Sequence, residues 1–282
     1  MRLLNLRYLF VAFAYLAFSV SGPANAETAT DWATTDQSRL RLISGVDGVK
    51  GRDSLRIGLQ IKLAPGWKTY WRNPGDAGIP PRLNWDGSEN LKAAMVSWPL
   101  PAQFHAYGFS SWGYHDEVVF PIDVTLMEAG EPVKLKLSLQ LGICEDVCIP
   151  YEHDFTLTLD ANNAELTQEA EIIETFARQV PAEIGSDGSL LSNATAETEG
   201  DQTFSITVSA NKQPFEDPSI IVEGKEGAYF DLISTTLSED RMGVTFRVKG
   251  NFPSKSDQLP GQNITVTVFD KAMTGEKTLQ IN

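Results

Sequence analysis

The chain has 282 residues, and its 37 acidic against 23 basic side chains leave a net charge of −14. That balance argues against nucleic acid or an anionic membrane surface as a partner. Two cysteines are too few for a disulfide-built scaffold, while an apolar content of 42% is ample for true hydrophobic cores.

The first residues read as an export signal. Arg2 and Arg7 form a basic n-region, residues 8–20 are an apolar run of leader length, and Ala24-Asn25-Ala26 offers small residues before Glu27. This predicts a signal peptide over 1–26 and a bacterial periplasmic location, where disulfides persist. No later segment is apolar enough to span a bilayer, so the mature chain is expected to be soluble.

Short alternating segments follow at 40–44, 55–63, 82–85, 93–98, 118–126, 133–143 and 151–159. Their connections carry Gly, Pro, Asn and Asp, as in Asn73-Pro74-Gly75-Asp76. This pattern predicts an antiparallel sandwich over 27–161. Residues 164–180 change character: Leu166, Ala170, Ile173 and Phe176-Ala177 recur at helical spacing, and Pro181 ends the run. The polar stretch 185–202 reads as a linker, and the joint as a whole is assigned to 162–189. Alternation resumes at 204–209, 219–222, 229–234, 244–248, 264–269 and 278–281, predicting a second β-sandwich over 190–282. The expected class is all-β.

Cys144 and Cys148 lie three residues apart in Leu141-Gly142-Ile143-Cys144-Glu145-Asp146-Val147-Cys148-Ile149-Pro150. A bond here closes a loop of about five residues and contributes roughly 2 kcal/mol in the chain-entropy model. A domain with its own core hardly needs so short a staple, so redox work is the better reading. The flanking strands set the register. If Cys144 faces Cys148, then Leu141 meets Tyr151, Leu137 meets Phe155 and Val133 meets Leu159, and every apolar residue falls on one face. Both cysteines share the parity of the outward residues. Two features work against this register: Val147 is a poor residue for a left-handed loop position, and Gly142 could mark a bulge. Glu145 and Asp146 are expected to raise the thiol pKa values by like-charge repulsion.

The blocks Gly66-Trp67-Lys68-Thr69-Tyr70-Trp71-Arg72-Asn73-Pro74-Gly75-Asp76, Trp98-Pro99 to Pro121, and Gly142-Ile143-Cys144 to Pro150 resemble the amino-terminal periplasmic domain of DsbD, particularly its ScsB-like members. The resemblance implies an immunoglobulin-like fold, hence two immunoglobulin-like antiparallel β-sandwiches joined by a short helix and linker. It implies a thiol:disulfide oxidoreductase that relays electrons from a membrane-embedded thiol reductase to thioredoxin-like periplasmic proteins, with no cofactor. By position, Cys148 is the thiol that partners attack and Cys144 the one that resolves. Phe104-His105-Ala106-Tyr107-Gly108 matches a cap over the pair; Phe104, Tyr107 and Phe109 are candidates for the shielding aromatic, and Tyr70 matches a wall of the site. DsbD carries an acidic pair and a Phe in its cap, and its cysteine spacing is longer. The chain ends at Asn282, so a separate membrane protein is the expected electron donor.

Three other readings compete. The pair could be a permanent hairpin staple. It could bind Cu(I) through Cys144, Cys148 and His153, although His153 has the inward parity of Phe155 and Leu157, and His105 or His115 could serve instead. The aromatics Trp98, Phe104, Tyr107, Phe109, Trp112 and Tyr114 could form a docking face in a Gly/Ser-containing loop. No nucleophile elbow, metal-protease His pair or phosphate-cradling loop is present.

Overall fold

A computed structural model of the chain describes residues 27–106, 108–253 and 258–282. The expected signal peptide and Tyr107 lie outside the described residues. In chain order the first part holds β1 (Ala33–Thr34), β2 (Ser38–Ser44), β3 (Ser54–Leu63), β4 (Lys68–Gly75), β5 (Arg82–Asn84), β6 (Leu91–Val96), β7 (Ala102–Ala106), β8 (Phe109–His115), β9 (Glu117–Leu126), β10 (Val133–Cys144) and β11 (Cys148–Leu159). Helix α1 (Glu169–Ala177) follows, then β12 (Ala182–Glu183), β13 (Leu191–Thr198), β14 (Thr203–Ala210), β15 (Ser219–Glu223), β16 (Tyr229–Leu237), β17 (Gly243–Asn251), β18 (Asn263–Asp270) and β19 (Met273–Gln280).

The first part is two antiparallel sheets, ordered β1-β2-β3-β9-β6 and β11-β10-β4-β8-β7, with β5 pairing β10 beyond β4. Strict alternation explains why they close on each other. Val133, Leu135, Leu137, Leu139 and Leu141 on β10 are all buried, and so are Leu55, Ile57, Leu59 and Ile61 on β3. Trp98 packs tilted and Tyr114 edge-on against Phe120, with centroids 4.8 and 5.3 Å away, and Tyr114 donates its hydroxyl to Pro99 O at 2.7 Å. Helix α1 covers the outer face of the first sheet, where Ile173 meets Ile43 and Val119. It is shorter than its sequence signal: Leu166 precedes it and is exposed, bridging backbone to Val46 instead.

The second part is again a sandwich, β12-β19-β18-β15 over β13-β14-β17-β16, around Phe204, Phe215, Phe246, Val266 and Val268. The polar stretch 185–202 is not simply a linker. It contains β13, whose buried Leu191, Ala194 and Ala196 alternate with Ser192, Asn193 and Thr195. Small inward residues gave this strand little hydrophobic signal. Three strands of the first part also lay in segments that read as loop: β4, β7 and β8. The aromatic segment is therefore a β-hairpin, not a loop, and Trp98, Trp112 and Tyr114 pack on the first core.

The two sandwiches are joined by more than α1. Ile221 belongs to the first core, and Phe269 meets Trp112 edge-on with centroids 5.9 Å apart. Beside them Arg72 of β4 grips Glu223, with Nε shared between Oε1 at 3.1 Å and Oε2 at 3.2 Å and an NH2 group on Oε2 at 2.5 Å, and also donates to Glu276. Burial alone would lower the Arg72 pKa; the bonds to the two carboxylates outweigh it and hold the guanidinium charged.

Candidate functional site

The cysteines lie where the alternation of β10 and β11 places them. Cys144 pairs with Cys148, Leu141 with Tyr151, Leu137 with Phe155 and Val133 with Leu159, without a register break. Gly142 therefore pairs regularly with Pro150 and marks no bulge. Glu145, Asp146 and Val147 turn the chain, none with a positive φ, so Val147 is not forced into the left-handed region; it is exposed instead. Cys144 and Cys148 are joined as a disulfide with Cα atoms 4.2 Å apart.

The two sulfurs are not equivalent. Cys144 is 1% exposed, whereas Cys148 is exposed on the outer edge strand. Parity alone leaves the outer face of this sheet to solvent, but part of it is covered near Gly142. The 75–79 segment folds back across it, and Gly142 N donates to Ile79 O at 3.2 Å. Under that segment lies the Tyr70 ring. Two glycines make its berth: a Cβ on Gly142 would stand 3.0 Å from Ile79 Cβ and 3.4 Å from Tyr70, and one on Gly78 would stand 2.5 Å from the Tyr70 ring. The sequence motifs contained Gly142 but not Gly78, and the role of both needed the neighbouring strand.

The Tyr70 hydroxyl lies 3.2 Å from Cys148 Sγ. A disulfide sulfur carries no proton, so the hydroxyl is the donor. Burial raises the Tyr70 pKa, which keeps that proton in place at neutral and mildly alkaline pH. The geometry thus offers a hydrogen bond to whatever charge develops on Cys148. Tyr70→Phe keeps the wall and deletes the donor. We expect the rate of thiol attack by Cys148 to fall about fivefold, equivalent to about 1 kcal/mol of thiolate stabilisation, as read by stopped-flow exchange at fixed pH. An unchanged rate removes Tyr70 from the chemistry.

The other expected site residues separate by face. Phe104 lies on the thiol face, edge-on to His115 at 6.1 Å, with Lys68 Nζ 5.7 Å from its centroid. Phe109 shares that parity at the hairpin tip and is exposed. His105 does not. It pairs with Ser110 on the opposite parity, and its Nδ1 lies 3.0 Å from Ser110 Oγ. Phe104 of this hairpin reaches over Lys68, which pairs with Cys144, while Tyr107 at the hairpin tip lies outside the described residues. Lys68 itself was not singled out by the sequence; its pairing with Cys144 became visible only across β4 and β10.

A copper site of Cys144, Cys148 and His153 does not form. His153 pairs with Leu139, five residues along β11 from Cys148, or about 16 Å at strand rise. It is also exposed rather than inward and satisfied, its ring 4.5 Å from Phe155 where the sandwich no longer covers this edge strand. His115 is two strands from Cys144, about 10 Å away, and its Nδ1 lies 2.5 Å from Asp116. Among the described residues, no group of three His, Cys, Asp or Glu could hold a metal ion.

Residues 48–160 match the family "Thiol:disulfide interchange protein DsbD, N-terminal", and residues 179–282 match "Domain of unknown function (DUF8393)". A search among curated proteins gives no match. Among solved structures, the chain is similar to the N-terminal periplasmic domain of ScsB from Proteus mirabilis, with 24% identity and a TM-score of 0.71 over 90% of this chain and 98% of that one. It also aligns with the reduced DsbD N-terminal domain of Neisseria meningitidis, with 20% identity and a TM-score of 0.25 over 42% of this chain and 87% of that one. The ScsB likeness extends the shared fold across both sandwiches.

Proposed function

We propose, from the match of residues 48–160 to the DsbD N-terminal domain family of thiol:disulfide interchange proteins, that this chain relays electrons in the periplasm through Cys144 and Cys148. A membrane-embedded thiol reductase supplies them and thioredoxin-like proteins receive them. The observation that carries the reading is the unequal exposure of one bonded pair: Cys148 is open to an incoming thiolate, and Cys144 is sealed beneath its own sheet face. A donor thiolate reaches only Cys148, which leaves Cys144 to depart and later to resolve. Chain export supports the same compartment, since the first residues read as a signal peptide. Among the described residues, no helix is long and apolar enough to cross a membrane.

A staple and a relay differ in potential. Equilibrating the protein across a series of glutathione ratios is expected to place the pair well above about −300 mV, within reach of periplasmic thiol donors. A potential below that value marks a structural bond and overturns the relay.

A further inference from the structure

The thiol face carries a third chemical group in register with the pair. Cys148 lies opposite Cys144, Cys144 opposite Lys68 of β4, and Lys68 opposite His115 of β8. Paired residues on antiparallel neighbours share a face, with Cβ atoms about 5 Å apart. Lys68 therefore rises beside Cys144 on the side away from Cys148. Its ammonium donates to Glu145 O at 3.2 Å, on the residue that follows Cys144, and faces the Phe104 ring. An ammonium has three N–H donors, so one bond to a carbonyl leaves two to spare.

Exchange places a demand on this spot. When a donor thiolate attacks Cys148 Sγ, the new sulfur–sulfur bond forms there and the bond to Cys144 breaks. The electron pair leaves on Cys144 Sγ. A second donor thiolate then attacks the first donor sulfur and releases Cys148 as a thiolate. The donor dithiol is oxidised to a disulfide, and the pair has gained two electrons. In the onward step Cys148 attacks the acceptor disulfide, and the Cys144 thiolate attacks Cys148 Sγ to expel the reduced acceptor. In both directions Cys144 carries negative charge at a site that is 1% exposed. Burial disfavours that charge, and so do Glu145 and Asp146 of the turn. The groups on the other side are the Tyr70 hydroxyl and Lys68 from β4 and His115 from β8, and of these Lys68 is the permanent cation.

The geometry points to Lys68 as the electrostatic stabiliser of the Cys144 thiolate, a residue that sets how readily Cys144 departs and returns. This inference rests on the relay reading for its purpose, but its test needs no partner. In the full chain carrying Cys148→Ser, Cys144 is a lone thiol whose ionisation can be followed by thiolate absorbance near 240 nm. Adding Lys68→Met is expected to raise its pKa by about one unit, a tenfold loss of thiolate at fixed pH, while Lys68→Arg holds it within a few tenths. With both cysteines restored, Lys68→Met should shift the equilibrium with glutathione toward the disulfide by up to about tenfold, reached at a pH above the Cys144 pKa of both proteins. An unchanged or lower pKa in Lys68→Met overturns the proposal. So does an equal rise in Lys68→Arg, which would assign the effect to packing rather than charge. Near-ultraviolet dichroism confirms that each variant is folded. A shift that appears as expected in a protein without partner exchange leaves Lys68 in place and removes the relay.

Discussion

The Cys148→Ala variant is expected to lose disulfide exchange with a thioredoxin-like partner completely, and Cys144→Ala to accumulate a covalent mixed disulfide with it. Both outcomes follow from which sulfur can be reached. The exposed Cys148 makes the first contact, and only Cys144, buried beside it and already at bonding distance, can free the partner again. Without Cys144 forward release is lost, and the intermediate decays only by return attack of the partner's second thiol or by attack from outside. Non-reducing gels of each variant mixed with an oxidised thioredoxin-like protein read this directly. Trapping by the Cys148 variant and not by the Cys144 variant would reverse the roles. Trapping by neither would leave the pair without a part in exchange.

The second large effect is expected far from sulfur. Arg72→Met leaves Glu223 and Glu276 facing each other at the joint between the sandwiches with no cation between them. Breaking a fully buried pair costs about 3–5 kcal/mol; these side chains are 24%, 15% and 29% exposed, so solvent screening reduces the figure to about 2 kcal/mol. Calorimetry should show the unfolding of the two sandwiches separating into two transitions, with the first at lower temperature. Adding Glu223→Gln and Glu276→Gln removes the repulsion and should recover part of the loss. If Arg72→Met unfolds like the parent in a single transition, apolar contacts such as Trp112 on Phe269 hold the joint by themselves. Arg72 lies two residues beyond Tyr70 on β4, so a loosened joint should also slow exchange at Cys148. No loss of rate would mean that the second sandwich does not steady the site.

Much of the site could be read in the sequence because one stretch of it obeys a simple periodicity. Residues 133–143 and 151–159 alternate so strictly that only one register buries every apolar side chain, and the cysteine pairing follows from that register. The second sandwich was legible for the same reason, except for β13, where alanines replaced the larger apolar residues that mark a strand. The sequence also contained the motif that holds Tyr70, Lys68 and Arg72, but gave no hint that it is a strand. Gly, Pro and Asn punctuate it, and its pairing with β8 shifts register between Tyr70 and Gly75.

The chain's own order of residues thus settled the all-β class, the hairpin and the meeting of two thiols, because each depends on neighbours within a few residues or on a two-residue repeat. Tertiary packing decided the rest. The strand beside the cysteines is packed by residues about 70 positions upstream, where Thr69 and Tyr70 sit against Gly142. Arg72 meets acids 151 and 204 residues away. Local pattern carries no information about such distant encounters; only the closed sandwich brings them together, and with them the difference between the two sulfurs.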